Sequence, residues 1–87
     1  MELQILTPGK TVFEGSITSV KVPGTSGEFE VLAGHAAVVS SLSNGTIKVT
    51  SNDATHEFKT EGGVIEVLND SVSILLQTVD KLSLIHI

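Results

Sequence analysis

The sequence predicts an all-β domain, a small sandwich of two antiparallel sheets that together form a flattened barrel. Short stretches of alternating apolar and polar residues follow one another along the chain, separated by turn signals, a pattern typical of sandwiches and barrels. Val, Ile and Leu dominate the apolar residues, which favours strands over helices. No window of a dozen residues keeps helical periodicity, and 87 residues suffice for one domain only.

The first strands show this alternation and one break in it. Leu3 and Ile5 point to one face, and Pro8-Gly9 ends their run. The next segment, 12–22, changes its apolar parity midway. Because a slip of one residue turns every side chain to the other face, we predict a bulge near Thr18-Ser19.

The rest of the chain continues the pattern. The small, apolar segment 36–42 is predicted to be buried or to lie at an interface. Ser43-Asn44-Gly45 and Asn69-Asp70 are turn signals, the former of the Asn-Gly type that tolerates positive φ. The apolar residues that mark the later strands are Phe29, Val31, Ile47, Val49, Phe58, Val64, Ile65, Val67, Leu68, Val72, Ile74 and Leu76.

The domain is predicted to cover residues 1–77, with a short tail over 78–87. The tail ends in Leu82-Ser83-Leu84-Ile85-His86-Ile87. Two interpretations stay open: a last strand of the domain, or a peptide foreign to it.

Composition excludes several classes of function. There is no cysteine, so neither a disulfide framework nor a thiolate zinc site can form. The net charge of −5 opposes binding to nucleic acid, which needs cationic side chains. No apolar run approaches the roughly 20 residues of a spanning helix, and the start of the chain lacks the features of a signal peptide. We therefore expect a cytosolic domain, unless a larger assembly holds it at a membrane.

The sequence offers no positive case for catalysis, a metal or a cofactor. His35, His56 and His86 lie far apart and lack metal-ligand spacing. No serine stands in a Gly-x-Ser-x-Gly elbow, and no phosphate-binding loop is present. Glu28 and Glu30 share one face, which is better explained by a solvated surface than by a glycosidase pair.

Four motifs in order carry a resemblance to a known family. They are Phe13-Glu14-Gly15, the turn Gly24-Thr25-Ser26-Gly27, Gly34-His35-Ala36, and the strand Gly62-Gly63-Val64-Ile65-Glu66-Val67. Taken singly, each is explained by turn or strand chemistry. In this order and spacing, over 1–77, they resemble the N-terminal β-sandwich domain of the epsilon subunit of F-type ATP synthase.

The resemblance has departures. The family often has Gly at the position of Glu30 and Pro at the positions of Ala33 and Ala37, which affects turn geometry but not the fold. Many family members also carry a C-terminal helical hairpin that restrains ATP hydrolysis and can bind nucleotide. We expect this chain to lack that hairpin, by nature or by truncation, so those activities are not assigned to it.

The resemblance implies a non-catalytic central-stalk subunit with no cofactor. Its expected partners are the gamma subunit and the membrane c-ring in a hetero-oligomeric complex, with neither nucleic acid nor direct membrane insertion. It would act peripherally, at the cytoplasmic face of the bacterial plasma membrane, and help couple ion-driven rotation to ATP synthesis. The alternative is a stand-alone β-sandwich that binds a ligand or another protein. By resemblance, the candidate interface residues are Ser26, Gly27, Glu28, Phe29, Gly34, His35 and Ala36.

Overall fold

The computed structural model describes residues 1–52, 54–77 and 79–81, the last range by its backbone only. The described chain forms ten strands joined by turns and short loops. The strands are β1 (Glu2–Thr7), β2 (Lys10–Ser16), β3 (Ser19–Gly24), β4 (Gly27–Leu32), β5 (Val38–Leu42), β6 (Gly45–Thr50), β7 (Thr55–Thr60), β8 (Gly63–Leu68), β9 (Ser71–Leu76) and β10 (Val79–Lys81).

The strands form two sheets that are joined at one point. The first sheet has the order β10-β7-β6-β3-β4, and the second has the order β5-β8-β9-β1-β2. Gly24 at the end of β3 pairs with Leu42 at the end of β5, and this pair connects the sheets. All the described strands are therefore linked by one continuous series of hydrogen-bonded pairs. The two sheets enclose one apolar core. The predicted all-β sandwich, flattened from a barrel, is confirmed.

The second sheet contains one parallel pair. Strands β1 and β9 run parallel from Glu2 opposite Ser71 to Leu6 opposite Leu75, whereas all other described pairs are antiparallel. On its other edge β1 pairs with β2, with a bulge between Ile5 and Leu6. The N-terminal strand is thus bonded on both edges and ties the β1–β2 hairpin to the rest of the sheet.

The core is built from alternate residues of both sheets. Side chains two apart along a strand share a face, and strands such as β1, β6, β8 and β9 bury alternate residues, whereas β4 and β5 bury one residue each. Burying such side chains stabilises a domain by about 1.5–3 kcal/mol each. The buried apolar residues are Leu3, Ile5, Ile17, Val20, Val22, Val31, Leu42, Ile47, Val49, Phe58, Ile65, Val67, Val72, Ile74 and Leu76.

The parity change in segment 12–22 is a change of sheet, and the predicted bulge near Thr18-Ser19 is wrong. Strand β2 ends at Ser16 in the second sheet, and β3 begins at Ser19 in the first. The Ile17 N–H donates to Met1 O at 2.8 Å, on the second sheet's side. The next N–H, of Thr18, donates to Thr50 O of β6 at 2.8 Å. The adjacent residues Ile17 and Thr18 thus bond to different sheets. Because the chain crosses from one sheet to the other here, the apolar residues change from odd to even positions.

Strand β10 pairs with β7, from Val79 opposite Thr60 to Lys81 opposite Phe58. This strand falls in the range that the sequence assigned to a tail. The domain boundary after Gln77 stays a prediction. Residues 82–87, including His86, lie outside the described residues.

Candidate interface of the sandwich

The β3–β4 hairpin carries the first group of candidate residues. Gly24 pairs with Gly27, so Thr25 and Ser26 alone connect the strands. A Cβ on Gly24 would lie 2.7 Å from Gly27 O and 2.9 Å from Phe29 Cε1, closer than atoms can approach. Gly27 has φ +128 with open space at its Cβ position. Ser26, Gly27 and Glu28 are exposed at this end of the first sheet.

The hairpin is held from the opposite sheet. The Thr25 N–H donates to Ser41 O at 3.1 Å, and the Ser43 N–H donates to Pro23 O at 2.7 Å. The Ser43 hydroxyl also donates to Pro23 O at 3.2 Å. These bonds clamp the hairpin to the end of β5, so its exposed residues stand on a fixed backbone.

The loop after β4 carries the second group, Gly34, His35 and Ala36. The His35 N–H donates to Leu32 O at 3.1 Å, and Gly34 has φ +84. A bond from the fourth residue to the first, with positive φ at the third, defines a type II turn. His35 Nδ1 lies 2.7 Å from Ala36 O. The three residues are exposed.

The two groups lie at opposite ends of β4. This strand runs from Gly27 to Leu32, and at about 3.3 Å per residue its ends are roughly 17 Å apart. The side chains of Phe29 and His35 reach toward each other, with ring centroids 6.4 Å apart and planes inclined by 34°. The candidate interface residues therefore form two patches, bridged by this ring pair.

The outer face of the second sheet carries an apolar row that the sequence reasoning did not single out. Val64 of β8 pairs with Leu75 of β9, and Leu75 pairs in turn with Leu6 of β1. Leu75 is 53% exposed and Val64 is 40% exposed. Val39 of the neighbouring strand β5 is 68% exposed and pairs with Glu66, so it lies diagonally from Val64 on the same face. We call these four residues the apolar row.

A sequence signal for the apolar row exists. In Val38-Val39, Val64-Ile65 and Leu75-Leu76 two apolar residues are adjacent within one strand. Because neighbours in a strand point to opposite faces, one member of each pair must face outward. The segment 36–42, expected to be buried or at an interface, follows this rule: Leu42 is buried and Val39 is exposed.

The outer face of the first sheet is charged instead. Lys21 pairs with Glu30 on one side and with Lys48 on the other, and Lys48 pairs with Glu57. Lys21 with Glu30 and Lys48 with Glu57 are opposite charges across a strand pair, which contribute roughly 0.2–1 kcal/mol each, whereas Lys21 opposite Lys48 is a like-charge pair and is destabilising. Such a face is stable in water without a partner, whereas an exposed apolar row is typical of an interaction surface.

Other chemistry-bearing groups are dispersed over the described residues. His56 of β7 packs edge to face on Phe13, with ring centroids 5.3 Å apart, and lies far along the chain from His35. Among the described side chains, those of residues 1–52 and 54–77, no three from His, Asp or Glu converge to hold a metal ion. In the same part of the chain no helix reaches the length and hydropathy that crossing a membrane requires.

The described strands form a small β-sandwich with an apolar row on the outer face of one sheet. The chain belongs to the delta/epsilon chain family of ATP synthase: the family model for the "ATP synthase, Delta/Epsilon chain, beta-sandwich domain" matches residues 1–81. The family inferred from the four motifs is thereby confirmed, and the match is to its β-sandwich domain.

Curated relatives agree with this assignment. The "ATP synthase epsilon chain" of Campylobacter jejuni strain 81-176 is 40% identical over 76 residues, which are 86% of this chain and 59% of the relative. The "ATP synthase epsilon chain" of Chlorobium limicola is 35% identical over 79 residues, 90% of each chain. This chain therefore spans less than two thirds of the Campylobacter relative but nearly all of the Chlorobium one.

Solved structures share the fold. A chain of the Euglena gracilis mitochondrial ATP synthase, described as OSCP/F1/c-ring, superposes with a TM-score of 0.86 at 21% identity, over 91% of this chain and 51% of that one. A chain of the Tetrahymena thermophila mitochondrial ATP synthase, described as central stalk/c-ring, gives 0.78 at 17% identity, over 92% and 65%. At these identities the likeness establishes the fold alone.

Proposed function

We propose that this chain is a non-catalytic subunit of the central stalk of an F-type ATP synthase. It binds the gamma subunit and the c-ring, and helps transmit ion-driven rotation of the ring through gamma to the sites of ATP synthesis. It acts peripherally at the cytoplasmic face of a bacterial plasma membrane. Family membership supports the assembly, and the names of the Campylobacter and Chlorobium relatives support a bacterial epsilon chain.

The observation that carries this proposal is the contrast between the two outer faces. The first sheet shows the charged ladder of Glu30, Lys21, Lys48 and Glu57, whereas the second shows the apolar row. Removing apolar surface from water stabilises an association by roughly 25 cal/mol per Å². We therefore assign the apolar row to the gamma contact.

The exposed end of the β3–β4 hairpin and the loop after β4 are assigned to the c-ring contact. Both are held by backbone hydrogen bonds, so they present a preformed surface and lose little conformational entropy on binding. Glu28 supplies a carboxylate that suits a basic group on a polar loop of the ring. The rings of Phe29 and His35 pack against each other and so connect the two patches.

A structural role suits the placement of the polar groups. Within the described residues, every buried side-chain nitrogen and oxygen has a hydrogen-bond partner. Fully paired buried polar groups make an interior more rigid, which suits a mechanical connector.

The test is assembly with a gamma subunit and a c-ring. Val39→Lys places a charge in the apolar row, at a side chain 68% exposed, so the isolated domain is expected to melt like the wild type. Lys48→Glu is the matched control on the outer face of the first sheet. We expect Val39→Lys to lose co-purification with gamma and Lys48→Glu to keep it. Equal retention by both variants would contradict the assignment of the gamma face.

A further inference from the structure

We infer that Asp70 is a positioning residue, whose carboxylate holds the turn that presents His35. The inference rests on the proposed function, in which the loop after β4 contacts the c-ring. Asp70 belongs to the turn between β8 and β9, 36 residues along the chain from Gly34. It therefore acts on the loop from another sheet.

The contact fixes one peptide group of the loop. In the turn from Leu32 to His35, the central peptide joins Ala33 to Gly34. The Gly34 N–H donates to Asp70 Oδ1 at 3.4 Å. Types I and II differ by rotation of this central peptide, and the rotation turns its N–H away. In a type I turn the Gly34 N–H would point away from Asp70. The Asp70 carboxylate therefore favours type II over type I, in agreement with φ +84 at Gly34.

The acceptor itself is anchored. Asp70 has φ 67 and follows Asn69 with φ 50, and left-handed values at both central residues define the tight type I′ hairpin turn. The backbone O of Asp70 accepts the Glu2 N–H of β1 at 3.0 Å. The side chain thus projects from a turn that is bonded to the N-terminal strand.

The consequence reaches the imidazole of His35. The bond of Gly34 to Asp70 also ties the loop to the turn between β8 and β9. Without it the loop keeps the Leu32–His35 turn bond but loses this tie to the second sheet, so the His35 ring is held less firmly at its position 6.4 Å from Phe29. Asp70 therefore governs how the loop is presented although its own side chain is not among the candidate contact residues.

Two substitutions separate the carboxylate from the turn. Asp70→Gly still tolerates positive φ at this position but removes the side-chain oxygen that accepts the Gly34 N–H. Asp70→Asn also tolerates positive φ and keeps a side-chain oxygen. Amide exchange and chemical shift of Gly34 are measured by NMR on the isotope-labelled chain. We expect exchange at Gly34 to rise roughly twofold to tenfold in Asp70→Gly, the factor for one hydrogen bond, and to stay near wild type in Asp70→Asn. An unchanged Gly34 amide in Asp70→Gly overturns the inference.

Reconstituted complexes provide the second readout. Asp70→Gly is expected to weaken stalk–ring attachment, and Asp70→Asn to restore it. If attachment survives Asp70→Gly while His35→Ala reduces it, Asp70 does not position the contact and the inference fails. If His35→Ala also leaves attachment intact, the proposed ring contact of this loop fails. Amide exchange at Gly34 then decides by itself whether Asp70 holds the turn.

Discussion

Phe13 of β2 meets Phe58 of β7 edge to face, with ring centroids 6.2 Å apart and planes at 71°, although their strands belong to different sheets. No backbone pairing joins β2 to β7 among the described strands. The sheets are hydrogen-bonded at Gly24 and Leu42, and the ring pair joins them independently of that link. Aromatic packing thus closes the sandwich where hydrogen bonds do not.

We expect the two rings to be energetically coupled. Phe58→Leu and Phe13→Leu should each lower the free energy of unfolding, with Phe58→Leu the more costly because Phe58 is only 2% exposed. Edge-to-face pairs contribute about 0.5–1.5 kcal/mol beyond area burial. A double-mutant cycle by urea denaturation should give a coupling energy of that size. A coupling energy near zero would show that the rings merely fill space.

Two glycines of the family motifs should respond oppositely to alanine. A Cβ on Gly63 would lie 2.2 Å from Leu75 O, a backbone atom that cannot move freely, whereas a Cβ on Gly15 would meet Phe13 Cε1 at 4.0 Å, an ordinary van der Waals contact. Overpacking typically costs about 1–3 kcal/mol, so Gly63→Ala should destabilise the domain by at least that. Gly15→Ala should be neutral or stabilise it, because alanine reduces unfolded-state entropy. Thermal melting of the pair checks both, and equal losses would contradict the steric argument.

The turn between β8 and β9 should depend on left-handed backbone at Asn69. Its φ of 50 costs a non-glycine residue roughly 1–2 kcal/mol, a penalty that asparagine partly escapes. Asn69→Ala should therefore destabilise the domain by about 1 kcal/mol, and Asn69→Gly should not. Chemical denaturation of both variants checks this. A stable Asn69→Ala chain would mean that the turn can relax.

The sequence predicted the interior better than the surface. Alternation identifies residues that share a face, as for Leu3 and Ile5, because period two is a local property. It cannot decide which face is inside when adjacent residues are both apolar, as in Val64-Ile65. The change of sheet at Ile17 was missed for a similar reason: a bulge and a crossing produce the same parity break. The contact of Asp70 with Gly34 depends on the register of distant strands, which local patterns do not encode.

The ring-facing assignment predicts a specific effect of charge at Glu28. This residue is exposed next to the hairpin turn and pairs with Pro23. Losing a rim ion pair costs only about 0.2–1 kcal/mol, so a neutral substitution should have a mild effect. Glu28→Lys adds like-charge repulsion, which costs several kcal/mol at an interface. We therefore expect it to loosen stalk–ring attachment while the isolated domain melts normally.

The control for that prediction is Ile65→Asp, which should abolish the fold itself. Ile65 is 0% exposed, and burying an unpaired carboxylate among apolar side chains is strongly unfavourable. Proton pumping and ATP hydrolysis are measured in reconstituted complexes, alongside melting of each isolated variant. Glu28→Lys should retain a cooperative melt and lose coupling, whereas Ile65→Asp should lose the melt. If Glu28→Lys melts normally and pumping stays fully coupled, Glu28 is a solvated surface residue and the c-ring contact must lie elsewhere on the sandwich.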